Sequence, residues 1–161
     1  MERRNFFKSM LAMAGVTAGV TAGLAAGGAA TAATPTNAPN NTPKNKQKVV
    51  YHLSDAEKVA FVLSNIQNHI AGVGGPENVE IVLVVHGPAL KAFHQALADP
   101  SVKQAIGNLK DEGVSLDACA NTMKAQKVDE NGLLPGFVKV DQGGVVRIAQ
   151  LQGDGYVYLR P

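Results

Sequence analysis

The sequence predicts a three-layer α/β domain with a mainly parallel five-stranded sheet and helices on both faces. Segments rich in β-branched residues alternate with segments whose apolar residues recur at helical spacing, which is typical of this class. Residues 79–85 (Val-Glu-Ile-Val-Leu-Val-Val) are almost entirely apolar, as expected of a central strand that is covered on both sides. Because crossovers between parallel strands are right-handed, we expect helices on both faces of the sheet.

The first strand and the first helix are predicted near the start of this domain. Residues 48–53 form a short apolar run with two Val and a Tyr, which indicates a strand. Ser54 and Asp55 can cap a helix, and apolar residues follow at helical spacing over residues 56–70. The stretch 72–76, with three Gly and a Pro, ends this helix.

Two helices are predicted after the central strand. Residues 86–88 (His-Gly-Pro) are expected to turn the chain into a helix over residues 89–98. A second helix follows Asp99-Pro100 and covers residues 101–112, and Gly113 ends it.

The remaining elements are shorter. They are a strand over residues 114–118, a helix over 120–126, a loop with Gly and Pro over 131–136, a strand over 137–140, a helix over 144–151 and a closing strand over 156–159. The resulting order, βαβααβαβαβ, is the basis for predicting the mainly parallel sheet.

The first 32 residues have the pattern of a twin-arginine export signal. Arg3 and Arg4 precede two Phe and Lys8, and a mildly apolar stretch rich in Ala, Gly and Thr follows. Small residues favour cleavage after Ala32. Because five glycines lie within residues 15–28, we expect a transported signal rather than a stable membrane anchor, and therefore a periplasmic protein.

Residues 33–47 contain three prolines and no large apolar side chain, which predicts a disordered linker before a single domain over residues 48–161. The predicted signal holds three of the 15 basic residues and one of the 13 acidic residues, so 12 of each remain after cleavage. The net charge then falls from +2 to zero, and we expect no nucleic acid as a partner.

Candidate functional residues follow the predicted strands. Ligand chemistry in parallel sheets gathers outside the carboxyl ends of the strands, where the sequence places His52, His86, Cys119 and the loop around Asp141. Cys119 is the only cysteine and precedes a predicted helix, whose N–H groups and dipole favour a thiolate. We therefore interpret Cys119 as a nucleophilic or sulfur-accepting thiolate, against the alternative that it is a small buried hydrophobe.

Other chemistries lack a basis in the sequence. No Cys-x-x-Cys or His-x-x-x-His pair is present, so we expect no metal site. The Gly-rich stretch 72–75 follows a helix rather than a strand and cannot place a helix N-terminus on a phosphate, and we expect no cofactor. Residues 151–156 contain no nucleophile elbow, so the sequence does not support a hydrolase.

Several short motifs occur in a consistent order over residues 48–161. They are Tyr51-His52-Leu53, Val84-Val85-His86-Gly87, Ala118-Cys119-Ala120-Asn121-Thr122-Met123-Lys124 and the ending 151–161. Together they resemble the DsrE/DsrF-like family. The resemblance implies a small α/β sulfur-relay fold that assembles into homo- or hetero-oligomers, and a cysteine at the position of Cys119 that accepts sulfur as a persulfide.

The export signal separates this chain from the cytoplasmic sulfur-relay members, so a role in tRNA thiolation is not expected. We expect an exported persulfide carrier or sulfur-compound-binding protein, with sulfur donor or acceptor proteins or small sulfur compounds as partners. Cys119 is the expected acceptor, and His86 or Asn121 is the expected hydrogen-bond donor to it. The residues leave open whether the protein turns over as an enzyme. Two alternatives are a non-catalytic oligomeric module in which Cys119 is structural, and a disulfide between subunits.

Overall fold

The computed structural model describes residues 46–161, which form one five-stranded sheet flanked by four α-helices. The predicted export signal, and all of the predicted linker except its last two residues, lie outside the described residues. No helix within residues 46–161 is both long enough and apolar enough to cross a membrane.

The elements follow the predicted order closely. The strands are β1 (Gln47–Leu53), β2 (Val79–Val85), β3 (Ser115–Cys119), β4 (Phe137–Val140) and β5 (Val157–Leu159). The α-helices are α1 (Val59–Gly72), α2 (Pro100–Asp111), α3 (Ala120–Gln126) and α4 (Gly144–Gly153). Short 3-10 helices cover Ala56–Lys58, Pro76–Asn78, Gly87–Phe93 and Glu130–Gly132.

The strand order is β4-β3-β2-β1-β5, and every pairing in the described sheet is parallel. The predicted three-layer α/β fold is confirmed. The chain steps in one direction from β1 to β4, so right-handed crossovers place α1, α2 and α3 on one face. It then returns to the far side of β1, which places α4 on the opposite face.

The two faces differ in the size of their apolar cores. The core under α1, α2 and α3 includes fully buried Phe93, Leu83 and Ile66. On the α4 side the cluster is small. It consists of Val50, Val82, Val84, Ile148 and Leu151, with Tyr156 packed against it. The residues of β1, β2 and β3 that face α4 therefore lie under a single helix.

The predicted helix over residues 89–98 is wrong in type and extent. The structure has a 3-10 helix at Gly87–Phe93, and His94 adopts an extended backbone conformation. His94 forms an antiparallel bridge with Leu133, and the N–H of Leu134 donates to the carbonyl of Phe93. This long-range pairing ends the helix early, and periodicity alone cannot reveal it.

Candidate functional site

Cys119 is the last residue of β3 and directly precedes α3, at the strand-to-helix junction that the sequence predicts. The residue is 6% exposed. Strand register places it beside the continuation of β2, because Val85 lies opposite Ala118 and the next residues are His86 and Cys119. The structure thus brings these two predicted site residues to neighbouring positions at one edge of the sheet.

Four hydrogen-bond donors surround the sulfur of Cys119. They are the main-chain N–H groups of Gly144, Thr122 and Asn121 and the side-chain hydroxyl of Thr122. Burial raises the pKa of the Cys119 thiol, but these hydrogen bonds together hold that pKa below its ordinary value. The first turns of α3 and α4 therefore both favour a thiolate at this position.

The backbone of α4 approaches Cys119 through two glycines. A Cβ atom at Gly144 would lie 3.4 Å from each of the Cβ atoms of Cys119 and His86. A Cβ atom at Gly143 would lie 2.9 Å from Nδ2 of Asn121 and 3.9 Å from Sγ of Cys119. The Gly-Gly pair lets a main-chain N–H reach the sulfur.

We expect Gly143→Ala to lower the free energy of unfolding by about 1–3 kcal/mol and to raise the pKa of Cys119. Gly143 has φ 88° and ψ 155°, a backbone region that is nearly restricted to glycine. Urea denaturation measures the first effect, and the pH dependence of alkylation measures the second. Gly107→Ala is the matched control, since Gly107 lies inside α2 with nothing within 4 Å of an added Cβ. This control is expected to be neutral or stabilising, and an equal loss in both variants would contradict the prediction.

Thr122 also links the site to the turn after β2. Its hydroxyl oxygen accepts a hydrogen bond of 3.0 Å from the N–H of Gly87, which leaves its proton free for the sulfur of Cys119. Nε2 of Gln126 donates to the carbonyl of Gly87 at 2.9 Å, and Oε1 of Gln126 contacts Nε2 of His94 at 2.8 Å. Helix α3 thus binds both the N–H and the carbonyl of Gly87, the residue that follows His86.

His86 contacts His52 rather than standing alone. Their Nε2 atoms lie 2.5 Å apart, and Nδ1 of His52 lies 2.6 Å from the hydroxyl of Tyr158 on β5. The pKa of His52 is lowered to about 4. Burial is the largest cause, repulsion from His86 and from Arg160 acts in the same direction, and Asp55 opposes them. Burial likewise lowers the pKa of His86. Both imidazoles are therefore neutral at pH 7.

The structure distinguishes the other predicted site residues. Asn121 donates to Cys119 through its main-chain N–H. Asp141 is largely exposed and pairs with Lys139 at 2.9 Å, so the loop after β4 reaches the thiol through Gly144. The roles of Gly144, Thr122 and Tyr158 were not predicted. The glycine pair after β4 was the available signal for Gly144, because glycines permit close backbone approach.

The described residues contain neither a metal-binding cluster nor a large cleft that Cys119 lines. Within residues 46–161, no cluster of three or more His, Cys, Asp or Glu side chains is arranged to hold a metal ion. A cleft of about 660 Å³ is lined by residues of α3 and the following loop, including Ala120, Lys124 and Glu130, and by Lys139. Cys119 does not line this cleft, so we place the chemistry at the strand ends.

Comparison with known proteins identifies the family. The model of the DsrE/DsrF-like family matches residues 36–161. This chain belongs to the DsrE/DsrF-like family. No curated protein matches its sequence.

Two solved structures share the DsrE-like fold. The first is MTH1491 from Methanobacterium thermoautotrophicum, described as a protein of unknown function. It is 29% identical, with a TM-score of 0.63, and the match covers 71% of this chain and 99% of that chain. The second is the ychN protein from E. coli, which is 15% identical with a TM-score of 0.54 and the same coverage. The second likeness concerns the fold alone.

Proposed function

We propose that this DsrE-like protein carries a sulfane sulfur as a persulfide on Cys119. The observation that carries the proposal is the set of donors around this sulfur, three main-chain N–H groups and the Thr122 hydroxyl. A thiolate is the form of cysteine that attacks sulfur, and the same donors suit the anion of a terminal persulfide. The sulfur-relay character of the DsrE/DsrF-like family supports this function.

The transfer step needs no redox partner. The Cys119 thiolate attacks the outer sulfur of a donor persulfide R–S–SH, a new S–S bond forms at Sγ, and the donor S–S bond breaks. The donor leaves as R–S⁻ with the bonding electron pair. With thiosulfate, the same attack on its outer sulfur releases sulfite.

Intact-mass measurement tests the proposal directly. We expect the domain to gain the mass of one sulfur atom after incubation with a small-molecule persulfide or thiosulfate, and we expect Cys119→Ser to gain none. Serine is similar in size to cysteine, so we expect Cys119→Ser to fold normally. Circular dichroism checks this. No mass gain on the wild type, under conditions that load a control thiol carrier, would falsify the proposal.

We also propose that the protein acts after twin-arginine export to the periplasm. The support is the sequence pattern of Arg3 and Arg4 followed by an Ala- and Gly-rich stretch. N-terminal sequencing of the protein from the periplasmic fraction is expected to begin at Ala33. Recovery of the protein only in the cytoplasmic fraction, with its first residues intact, would contradict export.

A second candidate function is a homo-oligomeric binding module in which Cys119 is structural. Exposed valines favour it: Val138 on β4 is 60% exposed, and Val145 and Val146 in the first turn of α4 are 68% and 47% exposed. Sedimentation of Cys119→Ser separates the two functions. An oligomer that dissociates in this variant, combined with a wild type that loads no sulfur, supports the module; an intact oligomer that only loses sulfur loading supports the carrier.

A further inference from the structure

Three side chains form a hydrogen-bonded row across the carboxyl edge of the sheet. Tyr158 on β5 contacts Nδ1 of His52 on β1, and Nε2 of His52 contacts Nε2 of His86 after β2. The two imidazole planes differ by 19°. Their centroids lie 4.7 Å apart, whereas the two Nε2 atoms are only 2.5 Å apart. The rings therefore meet edge to edge, in the geometry of an N–H···N hydrogen bond.

The number of protons in this row is fixed by the contacts. A neutral histidine has one N–H donor and one acceptor nitrogen, so the Nε2 atoms of His52 and His86 share one proton. When the Tyr158 hydroxyl donates to Nδ1 of His52, His52 carries its proton on Nε2 and donates it to His86. His86 then carries its own proton on Nδ1. The opposite polarity is reached when every proton in the row moves by one position.

The two ends of the row lie in different surroundings. Tyr158 is 37% exposed and can exchange protons with water. At the other end, the Cβ atoms of His86 and Cys119 each lie 3.4 Å from the same point above Gly144, so they are at most twice that distance apart. The nitrogen of His86 nearest the main chain, Nδ1, is the one not used by His52. The row thus runs from a partly exposed tyrosine to His86, whose Cβ atom neighbours the Cβ atom of Cys119 across Gly144.

We propose that Tyr158, His52 and His86 form a proton path that protonates the thiolate leaving group of a sulfur donor at Cys119. The proposal rests on the proposed function of Cys119 as a sulfur acceptor. When R–S⁻ leaves, Nδ1 of His86 gives it a proton and Nε2 of His86 takes the proton of His52. Nδ1 of His52 then takes the Tyr158 proton, and a solvent water reprotonates Tyr158 and leaves as hydroxide, so the overall change is R–S⁻ + H₂O → R–SH + OH⁻. Both histidines end neutral, in their other tautomers, and no electrons are exchanged.

The charged groups beside the row do not replace this path. Two charged groups act on both histidines: Arg160, which directly follows β5, and Asp55, in the segment after β1. Arg160 is itself bound by Asp55 at 3.1 Å and by the Ser54 hydroxyl at 2.9 Å. A guanidinium does not give up its proton near neutral pH, so Arg160 cannot act as the acid.

The leaving group provides the test. An acidic aromatic thiol departs as a stable thiolate, whereas an alkyl thiolate has a high pKa and benefits from protonation. We therefore compare the rates at which Cys119 reacts with an aromatic disulfide and with a dialkyl disulfide, in wild type, Tyr158→Phe and His52→Gln. Since a positioned acid contributes about 10²-fold or more, we expect both variants to react at least ~10-fold more slowly with the dialkyl disulfide. The aromatic disulfide is expected to show no comparable fall.

Tyr156→Phe is the matched control. It removes the same hydroxyl two residues before Tyr158, but the Tyr156 hydroxyl donates to Glu80 and lies outside the row. Equal slowing with both disulfides in Tyr158→Phe would indicate a displaced thiol and overturn the path, as would unchanged rates. Persulfide loading, measured in parallel, separates the two proposals. If the wild type loads no sulfur, but the two variants still slow the dialkyl disulfide more than the aromatic disulfide, the proposed function fails and the path stands. If the wild type loads sulfur, but the variants have the same ratio of the two disulfide rates as the wild type, only the path fails.

Discussion

Arg147→Met is expected to lower the free energy of unfolding by about 2–3 kcal/mol. The side chain of Asp117 is 8% exposed and accepts a hydrogen bond of 2.7 Å from Nε of Arg147. Asp117 faces α4 from β3, two residues before Cys119, so methionine would leave a buried carboxylate without its partner. Because Arg147 is 31% exposed, water screens part of the pair, and we expect less than the 3–5 kcal/mol typical of a fully buried pair. Urea denaturation at neutral pH measures the change.

The exposed pair Lys139–Asp141 is the matched control. Its side chains are 39% and 80% exposed, so Lys139→Met is expected to change stability by less than about 1 kcal/mol. The double variant Asp117→Leu with Arg147→Leu should recover part of the lost stability, because no buried charge is left unpaired. If Arg147→Met costs no more than Lys139→Met, the ion pair does not hold α4 against the sheet.

The sequence allowed the order of elements and the edge of the site to be predicted, because both depend on local patterns. The apolar run of β2 identifies a central strand without reference to the rest of the chain. The residues that end strands follow from the same runs, which is why His52, His86 and Cys119 were expected at the carboxyl edge. Local patterns also placed Cys119 before a helix, where its thiolate is favoured.

The contacts that give the site its chemistry depend on strand order, which local patterns do not contain. The return of the chain from β4 to the far side of β1 places Tyr158 beside His52 and puts α4 alone on one face. Only this return brings the N–H of Gly144 to the sulfur of Cys119. The 3-10 helix ends early at Phe93 for a related reason: His94 pairs with Leu133, which is distant in sequence.

The stability of the protein is expected to fall as the pH is lowered from about 6.5 to about 4. The pKa of His52 is lowered from 6.5 to about 4 in the folded protein, and that of His86 is lowered as well. Between these values the unfolded chain binds more protons than the folded protein, so unfolding takes up protons and becomes more favourable as pH falls. The stabilisation that the neutral pair provides is complete above pH 6.5 and is lost as the pH falls through about 4.

Urea denaturation at a series of pH values, with and without the histidine pair, isolates this effect from the titration of carboxylates. His52→Gln with His86→Gln removes both titrating groups, so its stability should depend less steeply on pH, by up to two protons taken up on unfolding. Tyr156→Phe keeps both histidines and should retain the wild-type slope. Because Arg160 opposes and Asp55 favours a positive charge on the pair, Arg160→Gln should raise the pKa of both histidines in the folded protein and so narrow the pH range over which stability is lost, with a smaller total loss. A double histidine variant with the wild-type slope would show that His52 and His86 titrate in the folded protein as they do in the unfolded chain, and would remove the basis for treating the pair as neutral at pH 7.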